Sequence, residues 1–126
     1  MIYLLGILLS LILSLNSFAI ELPALHAGIN DLAGMFPPAS ADDLNERLRR
    51  FNTETAATIV VLTVKSLDGE DMQNFSRNAF KALPFDNTAL AKSALLVVAR
   101  KEHVVGLQTA AELRQLLPEP ASSQKL

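Results

Sequence analysis

The fold of this 126-residue chain is decided by two apolar segments, TIVVLTV (Thr58–Val64) and SALLVVA (Ser93–Ala99). Both are continuous runs of aliphatic residues rather than alternating apolar and polar ones. Such runs are typical of β-strands that are covered on both faces. The two segments therefore predict the centre of a small buried sheet.

The residues around these strands predict how they are connected. A helix is expected over Glu70–Leu83, with Met72, Phe75, Ala79 and Leu83 on one side, and Pro84 ends it. Pro84–Lys92 is expected to be a loop, and His103–Gln108 a third strand that forms a hairpin with the second. A strand joined to the next through a helix favours parallel pairing. The expected fold is therefore α/β, with a small mixed sheet (a βαβ crossover plus a hairpin) layered with helices.

Two more helices and two irregular segments complete the predicted domain. A helix over Ser40–Phe51 would be capped by Ser40 and would carry an apolar stripe of Leu44, Leu48 and Phe51. Ile20–Pro38 is predicted as an irregular lead-in because it is rich in proline and glycine. A short helix is expected over Ala110–Leu117. The domain is placed at 20–120, and 121–126 is expected to be a polar tail.

The N-terminus predicts where the protein works. Residues 2–15 are almost entirely apolar, and Ser17 and Ala19 supply the small residues of an export cleavage site. Residues 1–19 are therefore predicted to be a signal peptide. If Ala19–Ile20 is not cut, the same segment would be a membrane anchor. The domain is accordingly expected in the periplasm or secreted, or tethered to the outer face of the inner membrane.

Composition excludes two classes of interaction. The net charge is −2 and the charges are interspersed, so there is no clustered basic face for a nucleic acid. There is no cysteine, so neither disulfides nor thiolate metal sites stabilise the fold. We therefore expect no nucleic-acid partner.

Five segments carry a resemblance to a known family. They are INDLAGM (29–35), TAATIVVLTVKSL (55–67), DGEDMQNFSRNAF (68–80), the strand and hairpin at 93–109, and LPE (117–119). In this order they resemble the TPM domain, which is found in exported bacterial proteins and in thylakoid-lumen proteins linked to photosystem repair. The resemblance implies the same layered fold.

The resemblance also implies a candidate metal site. Members of the family have been associated with acid-phosphatase activity and with binding of divalent metal, and calcium takes six to eight oxygen ligands. The residues implied as ligands of calcium or magnesium are Asp31, Asp86, Asn87 and Glu119. The competing structural interpretation is that Asp31 caps a turn and Asp86-Asn87 forms an Asx turn.

Two departures from the family pattern weaken the implied metal site. Ala91-Lys92-Ser93 stands where the family carries Asp-Asn-Gly, and Ala110-Ala111-Glu112 stands in place of a Gly-Tyr-Gly-like segment. A lysine at the first of these positions makes an oxygen-rich cage harder to build. The sequence therefore indicates a shortened, partly degenerate member with no firm cofactor.

Three functional hypotheses follow, and none of them assigns catalytic residues. The first is an accessory protein that acts by contact with a membrane protein or complex, in the assembly or maintenance of membrane complexes. The second is a metal-dependent phosphatase in which Asp31, Asp86 and Glu119 gather the metal at the strand ends. The third is a truncated, non-functional family member, since the family's further C-terminal helix is missing.

Overall fold

A computed structural model of the chain describes residues 22–114 and 123–125. Five strands form one sheet in the order β1-β2-β3-β4-β5. The strands are β1 (Gly28–Asp31), β2 (Thr58–Val64), β3 (Ser93–Ala99), β4 (Val104–Thr109) and β5 (Ser123–Lys125). The first three are parallel, whereas β4 and β5 are antiparallel to their neighbours. The expected mixed sheet is confirmed.

The two segments that decide the fold lie beside each other at the centre of the sheet. β2 and β3 have the predicted bounds, and their register runs from Thr58 opposite Ser93 to Val64 opposite Ala99. Side chains on one face of this pair are completely buried, among them Val60, Leu62, Leu95 and Val97. Burial of these aliphatic side chains is the main source of the sheet's stability.

Within the described residues, four helices connect or follow the strands. They are α1 (Pro38–Thr55), α2 (Met72–Lys81), α3 (Asn87–Leu90) and α4 (Ala111–Arg114). α2 covers one face of the sheet with the predicted stripe, since Met72, Phe75 and Ala79 are buried in one cluster with side chains of β2 and β3. The strands that it contacts most are β4 and β3. It begins two residues later than predicted, because the Asp71 side chain caps it by accepting a hydrogen bond from the Asn74 N–H (3.2 Å).

The first helix begins before its predicted start at Ser40 and ends at Thr55, after its predicted end at Phe51. α1 begins at Pro38 rather than being capped by Ser40, since a proline suits the first helical turn. The predicted stripe is wrong at Phe51, which is 42% exposed. Asn45 and Asn52 instead turn toward the sheet and hydrogen-bond to Ile29 and Ala57. Those bonds set the rotation of the helix and leave Phe51 facing solvent.

Three elements lie where the sequence predicted irregular structure. β1 falls in the predicted lead-in, and α3 falls in the predicted loop 84–92, where Asp86 caps it. The predicted polar tail contributes β5, because backbone pairing with β4 does not require apolar side chains. The signal segment 1–19 lies outside the described residues. Among the residues that are described, no helix is both long enough and apolar enough to cross a membrane.

Two neighbouring leucines of β3 allow the central packing to be tested. Leu95 is fully buried under α2, whereas Leu96 faces the other side of the sheet and is half-buried. We expect Leu95→Ala to lower the free energy of unfolding by about 2–5 kcal/mol, because it leaves a cavity in the core. Leu96→Ala should cost clearly less. Urea denaturation of both variants measures the difference, and equal costs would contradict the assigned faces.

Candidate functional site

The carboxyl ends of the three parallel strands lie along one edge of the sheet, which we call the carboxyl edge. The loops at residues 32–37, 65–71 and 100–103 follow β1, β2 and β3 there. In open α/β sheets, ligands usually bind outside the carboxyl ends of the strands. Functional side chains are therefore expected at this edge.

Asp31, the last residue of β1, lies at the carboxyl edge on the outermost of the three parallel strands. Its Oδ1 accepts hydrogen bonds from the Thr63 hydroxyl (2.6 Å) and the Met35 N–H (2.8 Å), and its Oδ2 accepts one from the Phe36 N–H (2.9 Å). Thr63 lies directly opposite Asp31 in the register of β1 and β2. The carboxylate therefore ties the end of β1 to β2 and holds the following loop.

The ionised form of Asp31 is favoured by this arrangement. Burial alone would raise the pKa of the carboxyl group. The hydrogen bonds from the Thr63 hydroxyl and from the Phe36 and Met35 N–H groups outweigh burial and hold the pKa of Asp31 below its ordinary value. Asp31 is consequently a carboxylate at neutral pH.

The loop after Asp31 is fastened at a further position. The Thr63 hydroxyl oxygen accepts a hydrogen bond from the Ala33 N–H (3.0 Å), and the Ala33 carbonyl accepts one from the Arg100 guanidinium (2.6 Å). Arg100 follows β3, so the loop of β1 is tied to all three parallel strands. This loop has a defined conformation although it contains a glycine.

A second carboxylate joins the other two loops of the carboxyl edge. The Glu102 Oε2 accepts hydrogen bonds from the Leu67 N–H (2.8 Å) and the Ser66 hydroxyl (2.9 Å). The bond from the Leu67 N–H is the largest of the effects that hold the pKa of Glu102 below its ordinary value. Glu102 therefore fastens the loop after β2 to the β3–β4 turn.

The remaining predicted ligands lie elsewhere. Asp86 caps α3, with its Oδ1 accepting a hydrogen bond from the Ala89 N–H (2.8 Å), and Asn87 is the first residue of that helix. α3 leads into Ser93, which is paired with Thr58 at the start of β2. Thr58 and Thr63 are five residues apart, or about 16 Å along the strand. Asp31 and Asp86 therefore lie at opposite ends of the parallel strands, with Asp31 at the carboxyl edge.

The described residues do not fit the implied metal site. The Oδ1 of Asp31 already accepts two hydrogen bonds and its Oδ2 accepts one, so the carboxylate offers a cation at most one free lone pair. Within residues 22–114 and 123–125, no three histidine, aspartate or glutamate side chains lie close enough together to hold a metal ion. Glu119 lies outside the described residues. The ligand set thus stays a prediction.

A cavity of about 410 Å³ opens at the opposite edge, between the start of the sheet and α1. Its lining includes His26, Asn45, Asn52 and Phe85. Asn45 accepts a hydrogen bond from the Ile29 N–H (2.8 Å), and Asn52 donates to the Ala57 carbonyl and the Thr58 hydroxyl. These amides are therefore used to hold α1 on the sheet.

Sequence reasoning missed Thr63, Arg100 and Glu102. A signal was present for Thr63, which is a hydroxyl residue in an otherwise aliphatic strand and is 1% exposed. A buried hydroxyl needs a hydrogen-bond partner, and here the partner is Asp31. No pattern in the sequence marks Arg100 or Glu102, because their partners belong to loops that are distant in sequence.

Comparisons with known proteins agree with the fold. The family model of the TPM domain matches residues 29–125. A solved structure that is similar is the solution NMR structure of the N-terminal domain of a protein from P. gingivalis, with a TM-score of 0.63 and 23% sequence identity. The similarity covers 69% of this chain and 55% of that one. No curated protein matches the chain.

The carboxylate of Asp31 generates a stability prediction. Because the pKa of Asp31 is lowered in the folded state, the carboxylate contributes fully to stability at pH values above its ordinary pKa. This contribution is lost as the pH falls through the folded-state pKa. We expect Asp31→Asn to cost about 1–3 kcal/mol at pH 7, as is typical for hydrogen bonds to a charged group. Urea denaturation measures the free energy of unfolding of both chains. The difference between them should become smaller as the pH is lowered.

The matched control is Asp68→Asn. Asp68 is an exposed carboxylate at the same edge. Its positive φ of 51° is tolerated by asparagine. This variant should stay within about 0.5 kcal/mol of the unmodified chain, as surface substitutions usually do. Equal effects of the two variants at pH 7 would contradict the structural role of Asp31.

Proposed function

Because the chain belongs to the TPM domain family, we propose that it is an exported accessory protein that acts by contact with other proteins. Its partner would be a membrane protein or complex, and its work the assembly or maintenance of that complex. Family membership establishes the fold of the chain but not its activity, since one fold can carry several functions. The argument for contact rather than catalysis comes from the carboxyl edge.

One observation carries the proposal: two carboxylates of the carboxyl edge, those of Asp31 and Glu102, are used to hold the protein's own loops. Asp31 accepts three hydrogen bonds within its own structure. Glu102 accepts two. A general base or a metal ligand needs lone pairs that face a substrate or an ion. This edge is better suited to presenting a rigid surface than to carrying out a reaction.

The proposed location rests on the N-terminal sequence. The apolar run at residues 2–15 and the small residues Ser17 and Ala19 are typical of an export signal. An exported domain without cysteine must be stable through its core alone. The central packing of β2 and β3 supplies such a core.

A metal-dependent phosphatase is the second candidate, and the family's association with that activity favours it. It would need a metal to bind at the one free lone pair of Asp31 or to displace one of its hydrogen bonds, and Asp86 or Glu119 to approach that metal. Titration calorimetry with calcium and with magnesium tests the first step. No heat of binding at millimolar metal would remove this candidate.

Phosphatase assays separate the two candidates. With p-nitrophenyl phosphate as substrate, we expect no turnover above the buffer rate, with or without calcium, because Asp31 is engaged in structural hydrogen bonds. If turnover is found, Asp31→Asn is compared with Thr63→Val. The second variant breaks the Asp31–Thr63 bond but keeps the carboxylate. Activity that is lost only in Asp31→Asn, with both variants folded by circular dichroism, would overturn the accessory role.

The accessory role also predicts a specific partner. A tagged chain should bring down a protein of the detergent-solubilised membrane fraction in near-stoichiometric amount. An excess of untagged chain should compete it away, because a specific contact is saturable. Recovery that untagged chain does not reduce would count against the proposal.

A further inference from the structure

The cavity at the amino ends of β1 and β2 takes no part in the contacts of the carboxyl edge. Its volume is about 410 Å³, and it lies between α1, the start of the sheet and the segment before α3. Small-molecule sites usually measure roughly 300–1,000 Å³. We call this feature the amino-end cavity. It is at the opposite end of the parallel strands from Asp31, so its chemistry is independent of that carboxylate.

One part of the wall of the amino-end cavity is apolar. Leu48 of α1, Ile59 of β2 and Phe85, which precedes α3, line it and are half-buried. Phe85 packs against the main core cluster and Ile59 against a smaller one. These side chains are therefore held in place, while part of each remains open to a ligand.

The other part of the wall carries amides that have hydrogen-bonding capacity left over. The Asn45 Oδ1 accepts from the Ile29 N–H (2.8 Å), which leaves the Asn45 NH₂ group as a donor. The Asn52 NH₂ group donates to the Ala57 carbonyl and the Thr58 hydroxyl oxygen (both 3.0 Å), which leaves Oδ1 as an acceptor. Backbone partners fix both orientations, because an N–H only donates and a carbonyl only accepts.

Thr58 and His26 add one further group each. The Thr58 hydroxyl oxygen accepts from Asn52, so the hydroxyl proton can be donated to a ligand. The His26 Nδ1 lies 2.9 Å from the Ala27 carbonyl oxygen, which places the proton of the neutral ring on Nδ1. The His26 Nε2 is then an acceptor. Together with the two amides, the cavity has two kinds of donor and two acceptors.

The position of the Asn45 amide depends on Gly28. A side chain at position 28 would collide with the Asn45 Oδ1, and Gly28 has a φ of +90°. Glycine adopts this conformation without strain. The close approach of backbone and amide holds Asn45 at the cavity before any ligand arrives, so binding there has little left to order.

The charges around the amino-end cavity do not favour an ion of either sign. Of the described residues that line it, only Arg49 carries a full charge at neutral pH and none is acidic. Arg49 forms an ion pair with Glu46. The charged residues at the end of α1 and in segment 85–92 have both signs, namely Arg50, Glu54, Asp86 and Lys92. An uncharged ligand is therefore the better match.

From these groups we infer that the amino-end cavity binds the uncharged ring of a saccharide. Each sugar hydroxyl both donates and accepts hydrogen bonds, which matches the mixture of donors and acceptors on the polar wall. The apolar face of the ring would pack on the apolar wall. A purely apolar ligand would leave the two amides and Thr58 without partners, which is costly in a desolvated site. This binding goes beyond the proposed accessory role and does not depend on it.

An NMR titration of the ¹⁵N-labelled full chain with glucose tests the inference. We expect saturable shifts, in the millimolar range, of the side-chain amide signals of Asn45 and Asn52. Asn74 and Asn78, which are exposed on α2, are the matched controls and should not shift. No shift of Asn45 and Asn52 at saturating millimolar glucose, or equal shifts of all four amides, would overturn the inference.

Charged relatives of glucose test whether the site prefers a neutral ring. Glucosamine carries an ammonium group in place of one hydroxyl, and glucuronate carries a carboxylate. Both should bind several-fold more weakly than glucose, because the cavity offers no unpaired charge of opposite sign to either. Equal or tighter binding of either charged sugar contradicts a site for an uncharged ligand.

Two tryptophan variants test whether the cavity is the binding site. Leu48→Trp fills the cavity, whereas Leu44→Trp adds the same ring one turn earlier on α1, outside the lining. The glucose-dependent shifts should be lost in Leu48→Trp and kept in Leu44→Trp. Shifts that persist in Leu48→Trp, or that disappear equally in both variants, would show that the ligand does not occupy the cavity.

Substitutions of Thr58 provide a test that does not depend on the folding of Leu48→Trp. Thr58→Ser keeps the hydroxyl and Thr58→Val removes it. We expect Thr58→Val to bind glucose about three- to ten-fold more weakly, as is typical for the loss of a neutral hydrogen bond, and Thr58→Ser to bind it like the unmodified chain. Equal affinities of the two variants would refute the assigned contact. Neither a phosphatase assay nor a pull-down affects these readouts.

Discussion

The hydrogen bond between the Asp31 carboxylate and the Thr63 hydroxyl is the contact on which the carboxyl edge depends. It joins the last residue of a four-residue edge strand to the buried central strand. A strand this short makes few backbone hydrogen bonds to its neighbour. The additional bond to Asp31 therefore helps to fix its end. The same carboxylate then orders residues 32–36, and Arg100 holds that loop from β3. Asp31 thereby orders the loop after β1, and Arg100 and Thr63 tie that loop to the ends of the other two parallel strands.

The centre of the fold could be predicted because its strands carry aliphatic side chains on both faces. β2 and β3 read as uninterrupted aliphatic runs, and α2 shows a clear apolar stripe, so their positions follow from local pattern. β1 and β5 lie at the edges of the sheet and are four and three residues long. Their pairing depends on backbone groups of partners far along the chain, and no local pattern records that.

The candidate site was less predictable, for a related reason. The resemblance to the TPM domain singled out Asp31, but it did not reveal which groups the carboxylate faces. That depends on the register of β1 against β2, which brings Thr63 opposite it. Asp86 similarly has a recognisable local role as a helix cap, yet only the topology places it at the far edge. Residue type and order were visible in the sequence, whereas the distance between the two carboxylates was not.

The role of Asp31 also limits what else this edge can do. A cation bound by both oxygens of Asp31 would displace a donor from Oδ1, either the Thr63 hydroxyl or the Met35 N–H group that helps to order residues 32–36. Such binding would therefore disturb the loop that presents Leu32 and Met35. The ordered loop and an Asp31 that binds a metal through both oxygens are competing states of the same residues. The hydrogen bonds in this structure correspond to the first, in which the carboxyl edge is a surface for contact.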